Sequence, residues 1–156
     1  MDTCAEFLIS DPRLGEPTWT QGMPRKTTEV SIEMLRPVRD AMVKKGFVAG
    51  EVTGGKPWGS GCCVGEGKSR VLVFFYPVPS EEKNRWEGSI DIVPAPPLWR
   101  RLTGIRDRAA EETMIERVAE QLKPVLSDFP HLTGIRWISF QRLCSSEGYQ
   151  DEEQKA

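Results

Sequence analysis

Histidine is almost missing from this chain: one residue in 156, His131. A structural zinc site wants four Cys or His ligands, and a Cys-His or Ser-His pair needs an imidazole beside its nucleophile. Any such pair would have to run through this single loop residue just after the second predicted helix. The four cysteines, Cys4, Cys62, Cys63 and Cys144, lack CxxC spacing, which disfavours a disulfide framework and implies reduced thiols. Excess positive charge is also absent. With 21 Lys plus Arg against 23 Asp plus Glu, the formal net charge of -2 is not that of a domain that wraps a phosphate backbone. No apolar run nears the roughly 20 residues that span a bilayer. The opening MDTCAEFLISDPR puts Asp2 and Glu6 where a secretory signal wants cations. The chain is therefore expected in the cytoplasm, without membrane contact, metal or cofactor, and with nucleic acid disfavoured as a partner.

What remains is an ordinary globular composition, 38% apolar and 28% charged, with 14 Gly and 12 Pro that imply long loops. Residues 1–28 carry Pro12, Pro17 and Pro24 and no sustained period, and read as an irregular arm draped over the body through Phe7, Leu8, Ile9 and Trp19. Residues 145–156 are polar, acidic and unpatterned, and read as a disordered tail. A single domain over 29–144 lies between them.

In SIEMLRPVRDAMVKKG the residues Met34, Leu35, Val38, Ala41 and Met42 form one helical stripe, ended by Gly46, which predicts a helix over 31–45. The alternation in TEVSIEM also fits a strand at 28–34 followed by a helix with Pro37 in its first turn. A second helix is predicted over 108–127, capped by Asp107, with Ile115, Val118, Ala119, Leu122, Val125, Leu126 and Phe129 on one apolar face. Pro37 and Pro124 should kink these helices. Strands are predicted at 59–65, 69–77, 86–93 and 133–143, with a weaker one at 47–53. Grouped strands with two helices predict an α+β domain: two layers, a mainly antiparallel sheet of about four or five strands, and both helices on one face. Two internal echoes, EMLRPV at 33–38 with EQLKPV at 120–125, and LTGIR at 102–106 and 132–136, are too short to define a repeat.

GSGCCVGEGKSR at 59–70 invites a phosphate-loop reading. That motif needs one residue fewer between its glycines and a helix after its lysine, whereas here the strand-like VLVFFY follows. Gly-Glu-Gly-Lys is turn chemistry, so the stretch is read as a hairpin. Adjacent Cys62 and Cys63 on a strand point to opposite faces, one into the core and the other away from it, which prevents both from gripping one ion.

VLVFFY is apolar at consecutive positions, and in IRWISFQRL Ile138 and Phe140 alternate with Ile135 and Trp137. Both sheet faces therefore want cover that two helices on one face cannot give. The second face is the expected working surface, presenting Trp137, Cys63 and the polar row Glu87, Ser89 and Asp91, with Trp58, Trp99, Arg100 and Arg101 at its rim. Three function classes fit. The first is a non-enzymatic binding protein, a homodimer or the partner of another protein. The second is a small-molecule binder or enzyme using Asp91, Glu87 or Cys63. The third is an RNA-binding sheet stacking bases on Trp137, helped by Arg100, Arg101, Arg106 and Arg108.

Overall fold

Asp107 opens the helix that the sequence defines most clearly: its side chain accepts from Ala110 N at 3.1 Å, and the helix runs Arg108–Ser127 over the expected span. Met114, Val118, Ala119, Leu122 and Leu126 are its buried residues, spaced three or four apart. The structure, a computed structural model, describes residues 2–55, 59–95, 102–105 and 107–139.

Along the chain the elements are β1 (Cys4–Ile9), a 3₁₀ turn (Pro12–Leu14), α1 (Met23–Lys44), β2 (Val48–Ala49), β3 (Thr53–Gly54), β4 (Ser60–Glu66), β5 (Ser69–Ser80), β6 (Arg85–Pro94), α2 (Arg108–Ser127) and β7 (Leu132–Ile138). The fold is α+β, with one sheet of seven strands ordered β2-β4-β5-β6-β1-β7, β3 also pairing with β4. Every pairing is antiparallel. The expected four or five strands are thus too few. The predicted strand at 47–53 divides into two short pieces, and β1 adds one where an irregular arm was expected.

β1 is no surface arm. It lies between β6 and β7, with Ala5, Phe7 and Ile9 in the main core and the Phe7 ring stacked on Phe75 at 5.8 Å. The first helix also begins earlier than expected, at Met23, because Pro24 falls in its first turn, where a missing N–H costs nothing. Thr27, Val30, Ser31, Met34, Leu35, Val38 and Met42 then carry one buried stripe down α1, which excludes the alternative strand at 28–34. Pro37 lies inside α1 and Pro124 inside α2, each exposed, and the helix continues past both.

The two helices contact each other and the sheet, and their buried residues join alternate sheet residues in one cluster: Cys62 and Val64 of β4, Val71, Val73 and Phe75 of β5, Trp86, Ile90 and Ile92 of β6. Inside this core Ser31 Oγ and Ser60 Oγ lie 2.7 Å apart, and Ser60 Oγ donates to Ser31 O at 2.9 Å, so this hydroxyl pair between α1 and β4 is satisfied.

Gly67 and Lys68 join β4 to β5 as a two-residue turn, Gly67 taking φ 54°, as a hairpin of this type favours. The other glycines of the stretch have a different use. A Cβ on Gly61 would lie 2.9 Å from the Phe74 ring, and one on Gly59 would strike the Phe75 carbonyl and the Tyr76 ring. Gly59, just before β4, and Gly61 within it make room for Phe74 and Tyr76 of β5, which stack on each other at 6.0 Å. The LTGIR echo ends in opposite environments: Leu132 is buried in β7, whereas Leu102 is exposed. Among the described residues no helix is long and apolar enough to cross a membrane.

Candidate functional site

Strand register fixes which side chains share the sheet face turned away from the helix-packed core. Tyr76, Ser89, Glu6 and Arg136 lie in one row across β5, β6, β1 and β7, and Phe74, Asp91, Cys4 and Ile138 lie in the next. Leu72 and Val93 follow at one end, with Cys63 beside Leu72. Val78, Glu87 and Leu8 lie at the other end. The pleat thus collects the polar residues in the middle of the face and at one end.

At that end is a cleft of about 570 Å³. Its lining includes Ser89, Gly88 and the aliphatic Leu8 and Val78, together with three cations and two carboxylates. Arg136 Nη2 donates to Glu6 Oε2 at 2.7 Å on the β7 side. On the β6 side, Arg85 Nε donates to Glu87 Oε1 at 2.9 Å, and Lys83 Nζ reaches the same oxygen at 3.5 Å. Burial pushes the Glu87 carboxyl upward, but the hydrogen bond from Arg85 and the charges of Lys83 and Arg85 outweigh it, so its pKa lies below the ordinary value. Gly134, at the β7 wall, takes φ 61° where the β1–β7 register shifts between Glu6 and Leu8. This bulge bends the outer strand beside the cleft.

One row further in, Asp91 Oδ1 is buried with no hydrogen-bond partner among the described residues. Desolvation raises this carboxyl's pKa, and the bond to the Cys4 thiol only partly opposes that. Cys4 is itself pushed up to about 12, first by burial and then by the Asp91 charge. Cys4 and Ile138 form a small buried cluster of their own, separate from the main core.

The residues expected at this site divide three ways. Glu87, Ser89 and Asp91 share the face, and Cys63, half-buried, lies across β5 from them, while Cys62 is in the core. Trp137 is on the opposite side. It packs against the main core, and Lys123 Nζ of α2 sits 5.5 Å above its ring, so it supplies no platform to the second face. Trp58, Trp99, Arg100 and Arg101 lie outside the described residues. Sequence reasoning missed Glu6, Leu8, Val78, Lys83, Arg85 and Arg136. The available signal was the period-two pattern of CAEFLI, with Ala5, Phe7 and Ile9 on one side and Glu6 and Leu8 on the other.

His131 belongs to a different place. Its Nδ1 lies 3.1 Å from Ser10 O and its Nε2 3.9 Å from Asp11 Oδ2, tying the start of β7 to the turn after β1. Arg13 donates from Nη2 to Asp11 Oδ2 at 2.6 Å and from Nη1 to Glu33 Oε2 at 3.0 Å. This network holds the 3₁₀ turn against α1. No group of three or more His, Cys, Asp or Glu among the described residues is arranged to hold a metal ion. Compared with protein-family models, with curated proteins and with solved structures, the chain finds no match.

Proposed function

We propose that the chain is a non-enzymatic binding protein of the cytoplasm whose working surface is the sheet face turned away from the helices. The observation that carries this reading is the cleft between β5, β6, β1 and β7, whose volume of about 570 Å³ falls in the range of ligand sites and whose charged residues are gathered by the strand register. In this reading the domain has two layers, and helices bent at Pro37 and Pro124 close one side of the sheet. The other side is left for recognition, by self-association into a homodimer or by a protein partner. The aromatic pair Phe74 and Tyr76 continues the surface beyond the cleft.

Native mass spectrometry of the freshly purified chain tests this. The expected spectrum is a dimer, or a monomer carrying added mass, and either should be lost in Val78→Glu, a substitution at a side chain 38% exposed on that face. A bare monomer in both proteins refutes the reading.

A second reading, a small-molecule binder or an enzyme, is favoured by Asp91 Oδ1, since a buried acceptor left without a donor is uncommon outside functional sites. The RNA-binding alternative is weakened by the placement of Trp137 on the helix side.

A further inference from the structure

Among the described residues the cleft charges do not balance, and their arrangement is uneven. Three cations, Lys83, Arg85 and Arg136, face two carboxylates. The carboxylates are less exposed than the cations: the Glu6 side chain is 25% exposed against 61% for Arg136, and Glu87 37% against 43% for Arg85. Glu87 Oε1 serves both Lys83 and Arg85, so two cations compete for one oxygen. A guanidinium carries five N–H donors. Among the described residues Arg136 gives only Nη2 to Glu6 and Arg85 gives only Nε and Nη2 to Glu87, so each keeps donors unspent at the rim. Below them Ser89 contributes a hydroxyl, and Leu8 and Val78 provide aliphatic wall.

We infer that this cleft binds a small organic anion, an apolar body bearing a phosphate or carboxylate group, held between Arg136 on the β7 side and Arg85 with Lys83 on the β6 side. Planar guanidinium groups match the paired oxygens of either anion. The volume of about 570 Å³ exceeds what a bare inorganic ion fills, which leaves room for the body against Leu8 and Val78. Glu6 and Glu87 serve as resting partners that keep the cations in place and give them up when the ligand arrives. The inference rests on the second face being the binding surface.

The test is a backbone amide NMR titration of the full chain with phenyl phosphate and with benzoate, benzyl alcohol serving as the neutral control. The expected result is saturable shifts at Leu8, Gly88, Ser89 and Gly134 with at least one anion and none with the alcohol. Arg136→Gln and Arg85→Gln should each weaken binding about tenfold, and Glu87→Gln should tighten it several-fold by releasing Lys83 and Arg85. The substituted side chains are solvent-exposed, so the spectra should otherwise remain those of the folded protein. The ratio of the two anions' affinities identifies the headgroup.

Absence of saturable shifts, equal shifts with the alcohol, or unchanged affinity in Arg136→Gln overturns the inference. If neither anion binds yet the native spectrum shows a dimer lost in Val78→Glu, the anion site is wrong and the wider reading stands. If the native spectrum shows only bare monomer and neither anion binds, both fall.

Discussion

Replacing Asp91 by Asn should stabilise the protein at pH 7, the reverse of what most core-adjacent substitutions do. The wild-type carboxyl has one oxygen sealed from water and unpaired, and its folded pKa is raised above the ordinary value of 3.8. A buried acceptor left unsatisfied costs about 1–3 kcal/mol, and more when ionised. Asn leaves the same position unpaired but carries no charge, so only the charge-dependent part is recovered. The residue is half-buried, which reduces that part further, to about 1–2 kcal/mol. For a chain of this size that is a rise of about 2–8 °C in Tm.

The pH dependence gives a stricter check. A carboxyl whose pKa is raised by folding binds its proton more tightly in the native state. Its favourable contribution is therefore fully present below 3.8 and is lost as pH rises through the folded value. The advantage of Asp91→Asn should be greatest at pH 7 and shrink steadily on acidification. Urea unfolding of both proteins from pH 7 downward measures the difference, and carboxyls common to both cancel. A variant less stable than wild type at pH 7, with a gap that does not change with pH, would show that the ionised carboxylate has a favourable partner and refute the argument.

Asp11 should behave in the opposite sense. Its carboxylate is buried and bound by Arg13, whose hydrogen bond is the main reason its pKa lies below 3.8. Its contribution is present above 3.8 and is lost as pH falls through the lower folded value, so Asp11→Asn should cost about 1.5–3 kcal/mol at neutral pH and much less in strong acid. Chemical denaturation at several pH values measures this. For the vicinal thiols, burial raises Cys62 to about 11 and Cys4 to about 12, while Cys63 is half-buried on the second face. Iodoacetamide under native conditions should therefore modify Cys63 ahead of Cys62 and Cys4, and peptide mapping that finds Cys62 or Cys4 labelled as fast would contradict the assigned faces. Cys62→Ser should cost about 1–3 kcal/mol by placing a hydroxyl in the core, against less than about 1 kcal/mol for Cys63→Ser.

Local signals proved readable and distant ones did not. The helix over 108–127 combined a capping aspartate with an unbroken apolar face, and the β4–β5 hairpin combined a Gly-Lys turn with two strand-like flanks, so neither needed tertiary information. The sequence pattern starts α1 late because the prolines before it interrupt the helical period, although Pro24 suits a first helical turn. β1 escaped because Cys4 and Leu8 are apolar on its second face, which blurs the alternation, and because its partners on β6 begin with Trp86, far along the chain. The face of Trp137 was unreadable for a related reason. Alternation separates the two sides of a strand but does not say which side receives the helices. The cleft suffered most, since its residues come from β1, β5, β6 and β7 and only register brings them together. Glu87 and Asp91 were recognisable as a polar row, yet nothing near them in sequence names Glu6 or Arg136.

The place of β1 between β6 and β7 bears on how the protein is made. β1 is made well before the strands it pairs with, since one partner ends at Pro94 and the other starts at Leu132. The β4–β5–β6 meander can zip through its short turns as it is made, and until it has, Phe7 and Ile9 lack Phe75 and Trp86 to pack against. Such long-range closure slows folding and lengthens the time during which a sticky strand is available to neighbouring chains. The β1–β7 pairing thus closes last, and a nascent chain stalled before β7 would present β1 as a bare sheet edge.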